Sequence, residues 1–433
     1  MRIVTGNVVT GDNFFEERQP IVQRLGEMLA VTDVLIVGPR RTGKTSLIKE
    51  YLRQKEENDE QFKSIFIDLE STKNLYEFYV KIIKEVLRAT KKWQLCLNKT
   101  EELLKKWSTQ LSQIFEGKLD VAPLLSLPTE TQLNISFPRF EAKKIAELRD
   151  ELEEILRALS VPLVIVLDEF PELIWQFGQE KPIEERVKTR KEQTSFMLSG
   201  LRTLRQESPV TGVKHKVIIA GSVNLENTLE YLQLSEEIND LPRLPIPDLT
   251  SDEAIRLFTQ LAATEQFKFS PDSIYQTFIA KQFGKTSPLY IQLFAQLLVQ
   301  IRIDRGGEVI FNEDDLKTCY KQLITTSGGQ GPRYFRTRIG RYYNEEEQKA
   351  VYAILEIIAK NQFHLKTATS EDDCLAFAQS KGVLPATRLQ QTDLLAKMKA
   401  DDLIHIFTSN YGFESQFLCN FWHYILVGTG FLA

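Results

Sequence analysis

Apolar runs and amphipathic stretches alternate along the first half of the chain. Ile21, Leu25, Met28 and Leu29 fall on one face of a predicted helix. Val34, Leu35, Ile36 and Val37 follow as a short strand, and a helix runs from the next glycine-rich segment to about residue 53. S-I-F-I-D-L at 64–69 reads as a second strand with Asp68 at its carboxyl end, followed by a helix over 74–89. Residues 90–140 break the rhythm and read as an insertion. The helix expected at 141–159 pairs opposite charges four residues apart, which gives a solvated outer face. Five apolar residues, Leu163 to Leu167, then make a strand buried on both faces. A charged helix over 182–207, a strand K-V-I-I-A from Lys216 and a short strand at 243–246 complete the pattern.

From Ser251 the pattern becomes helical, with helices expected after Ser251, over 271–283 and after Pro288. A glycine-rich break, S-G-G-Q-G-P, precedes R-Y-F-R-T-R-I-G-R-Y-Y at 333–343, read as a connecting helix whose aromatics pack on a core. Three helices at 345–360, 371–381 and 392–402 lead to two extended runs, 403–407 and 411–414, around a T-S-N turn. Helix, helix, helix, hairpin is the winged-helix order.

With 433 residues the chain exceeds one ordinary core, so two or three domains are expected. Hydrophobic content of 42% and charged content of 26% are those of a soluble globular protein. The net charge of −5 argues against a chain-wide nucleic-acid surface. No apolar run is long enough to span a membrane and the N-terminus has no signal-peptide core. Cys96, Cys319, Cys374 and Cys419 form no C-x-x-C pair and read as thiols of a reducing cytoplasm. The four histidines are scattered and mark no metal site.

The chemistry begins at the first strand, which runs into Gly38-Pro39-Arg40-Arg41-Thr42-Gly43-Lys44-Thr45-Ser46, the pattern G-x-x-x-x-G-K-[ST] between a strand and a helix. Gly38 and Gly43 allow positive φ, so the backbone N–H groups can turn inward as an anion nest. Lys44 supplies a point charge for the β- and γ-phosphates, Thr45 a hydroxyl for Mg²⁺, and the helix opening at Lys44 its positive end. Asp168 and Glu169 end the third strand. Two carboxylates there are costly unless a cation or an activated water uses them, which assigns Mg²⁺ to Asp168 and the attacking water to Glu169. Ser222, or next Asn224, is placed to sense the γ-phosphate, unless it only caps a helix. Arg243 is either a surface arginine or a finger toward a neighbouring subunit's nucleotide. Arg18, in F-F-E-E-R, is either a surface charge or a residue near the adenine. The turn 284–288, through its backbone or Lys285, is placed to reach the phosphates as it enters the helix at Pro288.

These segments resemble the archaeal-type ATPases of the STAND group of P-loop NTPases, within the AAA+-like additional-strand class. The carrying motifs are G-D-N-F-F-E-E-R, G-P-R-R-T-G-K-T-S, I-V-L-D-E-F-P-E-L, A-G-S-V-N, the 284–288 turn and F-E-S-Q-F-L-C-N-F-W. The resemblance spans nearly the whole chain. It departs from the family pattern at Glu17, where glycine usually precedes the arginine, and at Pro242 before Arg243. Unlike origin-initiator ATPases of similar layout, the expected lid helix carries no arginine after its turn, S-P-L-Y-I-Q.

The expected fold is α/β: a three-layer parallel sheet in a P-loop core over 1–249, a helical lid over 250–330, and a linker helix with a winged-helix domain over 331–433. The expected function is an ATP- and Mg²⁺-dependent molecular switch, slowly hydrolysing, that controls conformation or assembly with itself or a protein partner in signalling or defence. Two alternatives stay open. One is a DNA-associated ATPase gripping duplex DNA through its winged helix and the 333–341 stretch. The other is a nucleotide-binding scaffold that never hydrolyses.

Overall fold

The computed structural model describes residues 1–5, 7–93, 142–181, 183–206, 214–221, 225–325, 332–401 and 403–428. The chain divides into two units, Val22–Val37 with Tyr51–Pro245, and Met1–Ile21 with Gly38–Glu50 and Ile246–Ala433. Most of the insertion expected at 90–140 lies outside the described residues.

The first unit is built on a parallel sheet. Its strands are β1 (Val34–Val37), β2 (Lys63–Asp68), β3 (Leu163–Asp168), β4 (Lys216–Ala220) and β5 (Arg243–Pro245), in the order β2-β3-β4-β1-β5. All pairings are parallel, and β4 is inserted between β1 and β3. Helices are α1 (Gln19–Val31), α2 (Lys44–Asn58), α3 (Leu75–Trp93), α4 (Ala142–Arg157), α5 (Phe170–Gln176), α6 (Ile183–Gln206) and α7 (Leu225–Tyr231). α1 and α2 begin in the other unit's segments and end in this one.

Strand alternation explains the layers. Leu35, Ile165, Leu167 and Ile219 point into one core with side chains of α3, α4, α5, α6 and α7. Their neighbours Ile36, Val166 and Ile218 are just as buried but lie outside that core, on the opposite face. A sheet covered on both sides gives the continuous apolar runs of the sequence.

The other unit holds α8 (Ser251–Glu265), α9 (Ile274–Gln282), α10 (Pro288–Asp304) and α11 (Glu313–Thr325). Two strands too short for any pattern to show, β6 (Lys268–Phe269) and β7 (Ile310–Phe311), pair in parallel beside them. α12 (Tyr334–Tyr342) leads to α13 (Glu345–Lys360), β8 (Thr369–Ser370), α14 (Glu371–Ser380), α15 (Arg388–Ala400), β9 (His405–Phe407), β10 (Asn410–Gly412) and α16 (Gln416–Leu426). The strands form an antiparallel sheet in the order β8-β10-β9. Phe283, Phe294, Tyr320 and Phe417 join the core of this unit, with Phe283 and Phe417 stacked 5.3 Å apart.

Several boundaries differ from expectation by a few residues, and two of them have a plain physical reason. α15 starts at Arg388, not 392, because Thr387 and Gln390 form a capping box that satisfies the first-turn N–H groups. The hairpin turns on Thr408 and Ser409, with Thr408 at φ 62°, and Asn410 belongs to the second strand.

Candidate nucleotide site

The phosphate loop begins where β1 ends. Gly38 has φ +154° and packs so closely that a Cβ would sit 2.2 Å from the carbonyl oxygen of Ile246. Arg41 is left-handed at φ 68° and Gly43 at φ 91°, the inward-turning backbone that an anion nest requires. Lys44 spans the loop, its Nζ donating to the carbonyls of Gly38 at 2.8 Å and Pro39 at 2.6 Å. Thr42 Oγ1 donates to Pro39 at 3.0 Å. α2 opens at Lys44 with the Leu47 N–H on Gly43 O at 2.8 Å, directing its first-turn donors at the loop.

The N-terminal segment ties into the same helix. Ser46 Oγ accepts from the Val9 N–H at 3.1 Å, and Glu50 accepts from the Gly11 N–H at 2.7 Å. Arg18 is buried and donates to Pro247 O at 2.9 Å. Burial pushes its pKa down, opposed by the charges of Glu253 and Asp248. So the F-F-E-E-R segment packs against the chain that follows β5.

The 284–288 turn reaches the loop through Ser287, which no motif in the sequence singles out. Ser287 Oγ donates to Arg41 O at 2.6 Å and accepts from the Leu289 N–H, capping α10. Pro288 occupies the first position of that helix, where its fixed φ suits the helix and no N–H is needed. Lys285 is ion-paired with Glu414. Asp248 was also missed. It is 8% exposed, and burial, with the Glu414 anion next, pushes its carboxyl up to about 6 against Lys285, Lys44 and Arg18. Its only sequence signal is its place in P-I-P-D-L-T, directly before α8.

The acidic pair lies at the carboxyl edge of the sheet. Asp168 is buried and its Oδ1 accepts from the Glu169 N–H at 3.0 Å. Glu169 is left-handed at φ 54° and sits at the N-terminus of α5, with Pro171 in the first turn. An L residue there carries a conformational cost of about 1 kcal/mol. Gly221, at the exit of β4, packs on Pro171 so tightly that a Cβ would lie 2.0 Å from Pro171 Cδ. Ser222 and Asn224 lie outside the described residues. Arg243 is on β5, where its Nε donates to Glu226 Oε1 at 2.8 Å, a partly exposed pair.

Among the described residues no group of three or more histidine, cysteine or carboxylate side chains is set to hold a metal. Thr45 carries a hydroxyl in one unit and Asp168 a buried carboxylate in the other, and each is a hard oxygen of the kind Mg²⁺ takes beside water and substrate phosphates.

Residues 33–229 match the AAA domain family. That segment holds the phosphate loop, Asp168 and Glu169. The fold of the chain is similar to that of a Walker-type ATPase of Pyrococcus abyssi, at 16% identity and TM-score 0.56, covering 98% of this chain and 100% of that one. It is also similar to the Aeropyrum pernix ORC2 protein, solved as ADPNP–ADP complexes, at 13% identity and TM-score 0.54, covering 98% and 97%. At these identities the likeness is one of fold. No curated protein matches. Among the described residues no helix is long and apolar enough to cross a membrane.

Proposed function

We propose that this AAA-type protein is an ATP- and Mg²⁺-dependent switch that hydrolyses slowly and uses its nucleotide state to control its C-terminal region or its assembly. The observation that carries the reading is the Ser287–Arg41 hydrogen bond: phosphate loop and lid share one unit and already touch, so a triphosphate in the nest has both to engage. In this reading residues 38–46 cradle the phosphates and Lys44 neutralises them. Thr45 and Asp168 hold the metal ion, which supplies charge neutralisation when bound. Glu169 orients the attacking water, Ser222 or Asn224 senses the γ-phosphate, and Arg18 steadies the base side. Arg243 acts on a neighbouring copy only after leaving Glu226, a partly exposed pair that costs little to break. The domains follow as a core over 1–249, a lid over 250–330, and a linker with a winged helix over 331–433. Buried Cys319, Cys374 and Cys419, each pushed up to about 12 by burial, suit a reducing cytoplasm.

The switch reading is favoured over DNA binding because α15, the would-be recognition helix, holds only Arg388, Lys397 and Lys399 as cations and two of the three are ion-paired within the protein. Arg388 pairs with Glu371, and Lys397 with Glu347 at 2.8 Å. The test is ATP affinity, turnover and particle mass for wild type, Lys44→Ala and Glu169→Gln, with and without duplex DNA. Lys44→Ala is expected to weaken ATP binding about 10- to 100-fold. Glu169→Gln should keep binding and lose turnover by about 10²- to 10³-fold. Mass that changes with ATP and turnover indifferent to DNA support the switch. DNA-stimulated turnover, with binding that falls steeply as salt rises, would replace it with the DNA-associated reading.

A further inference from the structure

Tyr334, the first residue of α12, is gripped by three arginines. The guanidiniums of Arg40 and Arg41 lie 5.0 and 4.9 Å from its ring centroid, and that of Arg338 lies at 5.9 Å. Its hydroxyl accepts from Arg40 Nη1 and, at 3.3 Å, from Arg338 Nη1. Arg338 is buried and ion-paired with buried Asp401, which follows α15 and whose N–H donates to Lys397 O. Phe335 and Ile339 anchor α12 in the core. A continuous polar path therefore runs from the phosphate loop, through one aromatic ring, to the end of α15.

The loop end of that path is the strained end. Arg41 holds a left-handed conformation that an L residue adopts at a cost. Its carbonyl is tied by Ser287, and its guanidinium packs on the Tyr334 ring. With Arg40 and Arg41 both held on that ring, the loop backbone keeps the curvature a polyphosphate needs. What stabilises that curvature also strengthens anion binding, and by reciprocity a bound polyphosphate strengthens the grip.

Resting on the switch reading, we propose that Tyr334 is the latch that couples phosphate-loop shape to the C-terminal region, so that bound ATP and a docked α12–α15 stabilise each other. Tyr334 is a positioning residue and touches no phosphate. Opening of the C-terminal region then lowers ATP affinity, and loss of ATP loosens the C-terminal region.

The test compares full-length wild type, Tyr334→Ala, Tyr334→Phe and Asp401→Asn by MgATP titration, with amide exchange at 334–342 and 388–400 read in the same samples. Tyr334→Ala is expected to bind MgATP about 5- to 30-fold more weakly than wild type. Tyr334→Phe, which keeps the ring and loses only the hydroxyl, should fall between them. Asp401→Asn lies at the far end of the path and should also weaken binding. In wild type, MgATP should slow exchange in both segments, and in Tyr334→Ala it should not. MgATP affinity of Tyr334→Ala equal to or tighter than that of wild type, with Tyr334→Phe likewise unchanged, overturns the latch and leaves the switch reading standing. Wild type that binds no MgATP overturns both.

Discussion

Burial holds the Asp248 carboxyl at about 6, so it titrates where most carboxylates are already ionised. Its folded-state pKa lies above the unfolded value of 3.8, so the folded chain binds more protons between those limits. The stability this residue contributes is therefore full below pH ~4 and declines as pH rises through about 6. Asp248→Asn removes the cost of burying the charge. Denaturant titrations should find it more stable than wild type by about 1–3 kcal/mol at pH 7.5, with the gap closing toward pH 4. The same anion faces Lys44, so wild-type ATP affinity should rise between pH 8 and 6 by more than that of Asp248→Asn. The turned backbone of the 38–46 loop and the place of Asp168 and Glu169 at the end of β3 were legible in the sequence because each follows from neighbours a few positions away. Asp248, Ser287 and Tyr334 were not. Their roles arise from contacts with segments distant in the sequence, and no local pattern records those.

Strand–helix junctions set the geometry at the level of elements. β4 and α5 meet at Gly221 and Pro171, with no room for a methyl group. Gly221→Ala must push the exit of β4 away from the turn that carries Glu169. It should destabilise the protein by about 1–3 kcal/mol in thermal or denaturant unfolding, and lower ATP turnover more than ATP affinity. The apolar runs of β1, β3 and β4 announced a sheet covered on both faces, and the order of the elements followed from them. The early start of α15 was hidden because Thr387 and Gln390 act as a cap only once the helix exists. β6, β7 and β8 are two residues each, too short to carry a period.

At the scale of the molecule, a ligand that binds only the folded chain stabilises it by mass action, about 2.7 kcal/mol at a hundredfold excess over Kd. MgATP should therefore raise the melting temperature of wild type in a concentration-dependent way, leave Lys44→Ala nearly unmoved, and raise Tyr334→Ala only at higher concentration. Length alone indicates two or three domains. That one unit gathers Met1–Ile21, Gly38–Glu50 and Ile246–Ala433 was not legible, since it depends on which distant segments share a core.

That gathering bears on how the protein is made. A ribosome releases the glycine-bounded loop early, but Ser287 and Tyr334 emerge only after the whole sheet has been synthesised. In the proposed reading, the contacts that hold the loop in shape therefore form only once those later segments arrive, so full nucleotide affinity is acquired late in translation.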